Sequence, residues 1–132
     1  MPEKTSNLLF VCVENSNRSQ IAEAFARALA HGRVVAFSAG SRPAGQINPR
    51  AVQFMREKGI DLTVQCSKGL DDLPRVTWDY IVTMGCGDAC PTLPARHRLA
   101  WELADPKHLL DDQFRAVRDR IESAHAVQQH LG

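Results

Sequence analysis

Cys12 is followed six residues later by Arg18 and then by Ser19. The thiolate is the nucleophilic form of cysteine, and cations, hydroxyl donors and unpaired N–H groups at a helix N-terminus all stabilise it. The planar fork of an arginine suits a tetrahedral oxyanion, which it can grip with two parallel hydrogen bonds. The surrounding pattern predicts that these groups meet. Leu8-Leu9-Phe10-Val11-Cys12-Val13 is short, apolar and rich in strand formers, so it reads as a buried strand. Glu14-Asn15-Ser16-Asn17 breaks the run and offers Ser16 and Asn17 as helix-starting side chains. Ile21, Phe25, Ala28 and Leu29 then recur at helical spacing, with Gly32 as a stop. Cys12 thus lies where a strand gives way to the loop that opens a helix, a place that binds anions through its backbone. The alternative, an inert buried cysteine beside a solvated arginine, leaves their common placement without a reason.

The remaining elements must bring other groups to the same place. Arg33 to Ser38 predicts a second strand, ended by Ala39-Gly40, and Ser41 to Ile47 is rich in turn residues. Asn48 caps a helix with Pro49 at its first position, Ala51, Phe54 and Met55 facing inward and Gly59 as its stop. Ile60 to Gln65 reads as extended, and Leu70 to Pro74 as one helical turn. Trp78 to Met84 is a third buried strand, followed by a loop from Gly85 to Pro91, and Arg98 to Trp101 is a short fourth strand. Phe114, Val117, Ile121 and Ala124 mark a long amphipathic helix from Asp111 to Leu131. Alternating strands and helices predict an α/β fold, a four-stranded parallel sheet with helices on both faces. In such sheets ligands bind beyond the carboxyl ends of the strands. Cys12, Ser38-Ala39-Gly40, Gly85 to Cys90 and Asp105 all fall on that rim.

A chain of 132 residues with 44% hydrophobic content predicts one domain over residues 1–132. Sixteen basic against fifteen acidic residues leave a formal charge of +1, which offers no case for nucleic acid or membrane as partner. No apolar run reaches the length of a membrane helix, and Met-Pro-Glu-Lys-Thr-Ser lacks a signal-peptide core, so a cytoplasmic location is expected. In a reducing compartment four cysteines suit catalysis, redox work or metal binding better than structural bridges. Cys86, Cys90 and His97 could be three zinc ligands, but no fourth has regular spacing, and no metal is expected. Cys66 reads as a small buried hydrophobe. His31, His97, His108, His125 and His130 form no cluster and are expected at the surface.

The segment Cys12-Val-Glu-Asn-Ser-Asn-Arg18-Ser19-Gln-Ile-Ala-Glu resembles the active-site loop of the low-molecular-weight protein tyrosine phosphatase superfamily, which includes arsenate reductases of the same fold. Ser38-Ala-Gly, Asn48-Pro-Arg-Ala-Val, Gly59-Ile-Asp-Leu, Ser67-Lys-Gly-Leu, Asp79-Tyr-Ile-Val-Thr-Met, Cys90-Pro, Trp101, Asp105-Pro106 and the tail from Phe114 to Ile121 resemble the arsenate reductase branch in order. The resemblance implies that Cys12 is the nucleophile and that Asp105, on a semi-rigid Asp-Pro turn, protonates the leaving oxygen. It implies an oxyanion site from Val13, Glu14, Asn15, Ser16, Asn17, Arg18 and Ser19, with Asn15 holding the loop's shape. Glu14 stands where a small residue is usual. A carboxylate pointing inward would repel the anion, so Glu14 is expected to face out. Asn17 stands for a frequent Cys whose part is its backbone N–H. Some relatives hold a monovalent cation near the loop, and the Lys68 ammonium could replace it here. Trp101 is expected to pack under the Asp105 loop.

Two features choose the branch. Phosphatases of this family place an aromatic after Ser-Ala-Gly and tyrosines after Asp-Pro, whereas this chain has Ser41, Arg42, Pro43 and Ala44, then Lys107 and His108. Its one tyrosine, Tyr80, lies in a predicted buried strand, so the aryl slot is missing and a small oxyanion fits better. Thioredoxin-linked arsenate reductases also keep two further cysteines after the third strand. Cys86-Gly-Asp-Ala-Cys90-Pro91 matches that order with a shorter gap. The expectation is reduction of arsenate to arsenite through a Cys12 adduct and a relay over Cys86 and Cys90, with thioredoxin or a glutaredoxin-type reductant and no bound cofactor. The alternatives are a phosphatase using Cys12, Arg18 and Asp105, and a regulator that binds an oxyanion or a metal without turnover.

Overall fold

The computed structural model describes residues 6–30, 33–85 and 93–131. Four parallel strands, β1 (Ser6–Cys12), β2 (Val34–Gly40), β3 (Trp78–Thr83) and β4 (Ala95–Ala100), form one sheet in the order β2-β1-β3-β4. The helices are α1 (Arg18–Leu29), α2 (Pro49–Arg56) and α3 (Asp111–Leu131). The chain leaves β1 toward β2, then crosses back to place β3 on the other side. The direction therefore switches between β1 and β3, where parallel sheets open a crevice at their carboxyl ends. Cys12, the last residue of β1, stands at that crevice.

Both faces of β1 are buried, which is why its sequence is a continuous apolar run rather than an alternation. Phe10 and Cys12 face the larger core, with Ile21 and Phe25 of α1, Phe54 and Met55 of α2, and Phe114 and Ile121 of α3. Leu9 and Val11 face the other core, with Ala39, Trp78 and Ile81. Helices are expected on both faces, and among the described residues the structure differs. The three long helices gather on one face, and Leu93 with Leu70 and Leu73, at a 3-10 turn (Leu70–Asp72), covers the other.

Several boundaries move. Ile60 to Gln65 is not extended but holds a 3-10 turn (Leu62–Val64). The Asp61 carboxylate accepts from the Thr63 N–H at 2.9 Å and its hydroxyl at 2.6 Å, a local bond that competes with extended backbone. β4 starts at Ala95, three residues before the expected Arg98, because backbone pairing with β3 does not need the apolar side chains that pattern reading looks for. Asn48 and Pro49 start α2 as expected, with the Asn48 side chain accepting from Arg50 N. Gly32 lies outside the described residues. Tyr80 is half-buried, stacked on His97 with centroids 4.8 Å apart.

Two expected placements are overturned. Cys66 is exposed. Its carbonyl is what the interior uses, accepting from Gln20 Nε2 at 2.9 Å, and the side chain is left outside. His125 is buried, with ring centroids 5.2 Å from Trp101, 5.3 Å from Phe10 and 6.4 Å from Phe25. It lies four residues after Ile121, on the stripe that α3 turns to the core, so helical geometry carries it inside despite its polarity. Trp101 packs between Phe10 and His125, beneath the segment that leads to Asp105.

Burial, opposed by a hydrogen bond to the Ala22 backbone, pushes the His125 pKa down from 6.5 to about 4. The unfolded chain therefore takes up a proton near 6.5 while the folded one does so only near 4. Stability is full above that window and falls as pH drops through it, by on the order of 3 kcal/mol. Glu57, held down to about 2 first by Arg115 and then by Arg118, sheds its own stabilisation in a lower window, below 4.5. Urea unfolding at pH 7 and pH 4.5 separates the two: His125→Leu is expected to lose most of the difference between those midpoints. An unchanged difference would show that His125 is not the acid-sensitive group.

Candidate active site

The loop after β1 is held by its carbonyls. Those of Cys12, Val13, Glu14 and Ser16 accept from the N–H groups of Ser41 (3.2 Å), Arg42 (2.8 Å), Ala44 (2.9 Å) and Asn48 (3.1 Å). In a trans peptide the N–H points opposite to the C=O. These bonds therefore turn the following N–H groups away from their partners, toward the hollow of the loop. Asn15 bends the chain with φ 51, a left-handed conformation that Asn tolerates better than most residues. Gly40 lies against this bend: a Cβ there would sit 2.5 Å from the Val13 oxygen and 2.9 Å from Asn15 N, so only glycine fits.

Asn17 occupies the position before α1 but makes no side-chain cap, and its Oδ1 is buried without a hydrogen-bond partner. The capping expected from Ser16 and Asn17 is thus not made, because the loop's carbonyl bonds, rather than a cap, set its course. The first N–H groups of α1 stay available to an anion.

The sulfur is approached by a chain of oriented hydrogen bonds. Asn15 Oδ1 accepts from Gln20 Nε2 (2.8 Å) and from Lys68 N (2.9 Å), which fixes which end of the amide is which. Asn15 Nδ2 must then donate to Ser19 Oγ, at 2.7 Å. Ser19 Oγ in turn lies 2.8 Å from Cys12 Sγ, where either group can donate, and once the sulfur is a thiolate the hydroxyl is the donor. Asn15 holds the loop's shape, as expected, through bonds that include the Lys68 backbone N–H and its own carbonyl, which accepts from Gln20 Nε2 at 3.0 Å.

Arg18 is buried with its guanidinium at the hollow, where Nη1 donates to the Leu103 carbonyl at 3.2 Å. Nη2 lies 3.9 Å from Oδ2 of Asp105. Asp105 is half-exposed and accepts from Lys107 N at 3.1 Å, while Pro106 behind it is buried and anchors the turn. Gly85, at φ 77, would place a Cβ 2.5 Å from Arg18 Nη1. The obstructed atom ends a flexible side chain, so the fold can yield but the guanidinium must move. Gly85→Ala is expected to cost only about 1 kcal/mol of stability, from its positive φ. It should lower kcat/KM about tenfold or more through misplacement of Arg18. A chemical melt beside a kinetic assay checks this, and proportional losses in both would refute it.

Around this lies a second polar layer. Glu23, nearly fully buried, accepts from the Ser38 hydroxyl (2.7 Å) and from Arg27 (2.6 Å). Lys68 Nζ stands 3.7 Å from Glu23 Oε1 and 3.3 Å from the Cys66 carbonyl, so a positive charge does sit beside the loop's support. Glu14 is among the residues that line the pocket, and its partly exposed carboxylate is paired with Lys107 at 3.0 Å. Cys86 and Cys90 lie outside the described residues, and His97 is exposed on β4. Sequence reading overlooked Gln20, Glu23 and the Gly85 contact. Polar residues on the buried face of α1 were the available signal for the first two.

Cys12, Val13, Glu14, Ser16, Asn17, Arg18 and Asp105 line one small pocket of about 20 Å³. By that measure one water needs about 10–15 Å³, so the hollow suits a small ligand. No aromatic residue is among the described residues that line it. A strand, an anion-turned loop and a helix that present cysteine, serine and arginine to such a pocket define a protein that performs thiolate chemistry on a small oxyanion.

The family model described as low molecular weight phosphotyrosine protein phosphatase matches residues 7–130. The chain belongs to this family. Among its relatives, an arsenate reductase of Brevibacillus brevis is 38% identical over 123 residues, covering 90% of each chain. A glutaredoxin arsenate reductase of Synechocystis sp. is 32% identical over 117 residues, covering 86% of this chain and 88% of the relative. The solved thioredoxin-dependent arsenate reductase of Corynebacterium glutamicum superposes with a TM-score of 0.78 at 35% identity, over 100% of this chain and 66% of that one.

Proposed function

We propose that this enzyme reduces arsenate to arsenite, with electrons from an external dithiol and no bound cofactor. The observation that carries the reading is the pocket: its described lining residues bring together a thiol, a guanidinium and a carboxyl, with no aromatic side chain among them. Relatives named arsenate reductase over about nine tenths of the chain support it.

The Cys12 thiolate attacks arsenic, and an arsenic-bound hydroxyl leaves as water with a proton from Asp105. Arg18 and the N–H groups from Val13 to Ser19 hold the other oxygens. The Cys86 thiolate then attacks Cys12 Sγ. An S–S bond forms, the S–As bond breaks, and its electron pair stays on arsenic, which leaves trivalent as arsenite. Cys90 attacks Cys86, frees Cys12, and leaves a Cys86–Cys90 disulfide. A cytoplasmic thioredoxin or glutaredoxin-type protein reduces that disulfide, in keeping with the names of the C. glutamicum and Synechocystis relatives.

Free thiols counted after a single exposure to arsenate test the reading. Wild type is expected to lose two per molecule. Cys86→Ser should complete no turnover yet still hydrolyse an activated aryl phosphate slowly, and Cys90→Ser should stall as a Cys12–Cys86 disulfide visible by peptide mapping. Unchanged thiols with brisk aryl-phosphate hydrolysis would instead make the protein a phosphatase.

A further inference from the structure

The pocket that is to receive a doubly charged anion has an acidic residue in its lining. Glu14 is one of the lining residues, and Asp105 is another. An uncompensated charge there would oppose every divalent oxyanion that entered. Its Oε1 lies 3.0 Å from Nζ of Lys107, ninety-three residues away in sequence. Lys107 is also tied to Asp105, another lining residue, because its backbone N–H donates to Asp105 Oδ1 at 3.1 Å.

We propose that Lys107 masks the Glu14 carboxylate at the mouth of the pocket, making the pair a determinant of oxyanion admission. Both side chains are partly exposed, 35% for Glu14 and 46% for Lys107. A pair so placed adds little to folding stability. Its consequence falls on the ligand: with Lys107 in place the incoming anion meets a neutral pair, and without it a bare negative charge. The assignment rests on the reading of this loop as an oxyanion site, and it requires no redox step.

The probe is therefore inorganic phosphate, with its Kd measured by calorimetry at low ionic strength. Lys107→Met is expected to weaken binding about fivefold, with the loss shrinking as salt is raised. Lys107→Arg, which keeps the charge, should stay within about twofold of wild type. Glu14→Gln in the Lys107→Met background should recover most of the lost affinity, because the charge that needed masking is gone. All four proteins should melt together. Undiminished affinity in Lys107→Met would overturn the mask. An equal loss in the double variant would overturn it too, by showing that Lys107 acts on the anion directly. Failure of wild type to bind phosphate at all would refute the oxyanion site itself, a result distinct from either.

Discussion

Cys12→Ser will abolish arsenate reduction and any aryl-phosphate hydrolysis together, by at least roughly a thousandfold, while leaving a folded protein that still binds oxyanions. A serine hydroxyl is a far weaker acid than a thiol, so at neutral pH it presents no anionic nucleophile to arsenic. Nor can it form the disulfide by which Cys86 would release arsenite. The exchange is nearly isosteric. The new hydroxyl keeps the hydrogen-bond partner that the sulfur had, Ser19 Oγ at 2.8 Å, so no buried polar group is orphaned. Phosphate affinity within a few fold of wild type, beside lost turnover, is the expected pair of results. Residual arsenate turnover in the Ser variant above that level would mean that another residue is the nucleophile.

Arg18→Lys is the second large effect, and it should be nearly as damaging as Arg18→Ala. Lysine keeps the charge but loses the fork that can hold a bound oxygen with one arm while the other is fixed. In this site one arm is already in use: Nη1 donates to the Leu103 carbonyl, which leaves the rest of the guanidinium aimed at the pocket. A flexible ammonium cannot do both. The expected loss is on the order of a hundredfold in kcat/KM, the scale of removing one preorganised donor from a developing charge. Phosphate binding by the Lys variant with unchanged affinity would remove Arg18 from the role of clamp.

Much of this site was legible because it is built from neighbours in the chain. A buried strand, a polar break and a helix are local patterns, and together they fix where Cys12, Arg18 and Ser19 stand relative to one another. The rim was legible as well, since the order of strands and helices implies a parallel sheet, and the carboxyl ends of such a sheet share one edge. The resemblance to arsenate reductases ran through the same segments, and a relative of that name, 38% identical over 123 residues, bears it out.

What the chain alone left open was every choice of partner across the fold. Periodicity assigns a residue to a face but does not say what lies opposite. His125 follows the buried stripe of α3 into a cage of aromatic rings, although its chemistry argued for the surface. Cys66 turns outward because its carbonyl is wanted by Gln20, a contact between residues forty-six apart. Glu14 was expected to face out because repulsion by an anion was the one force visible in sequence. Tertiary structure added Lys107, which pairs with that carboxylate at 3.0 Å. The glycine at position 85 reads as a turn residue until the fold brings Arg18 Nη1 to the place its Cβ would take. The amino-acid order by itself determined which groups do the chemistry and in which loop. The long-range packing decided how each is oriented and neutralised, because those energies depend on distances that only the folded chain sets.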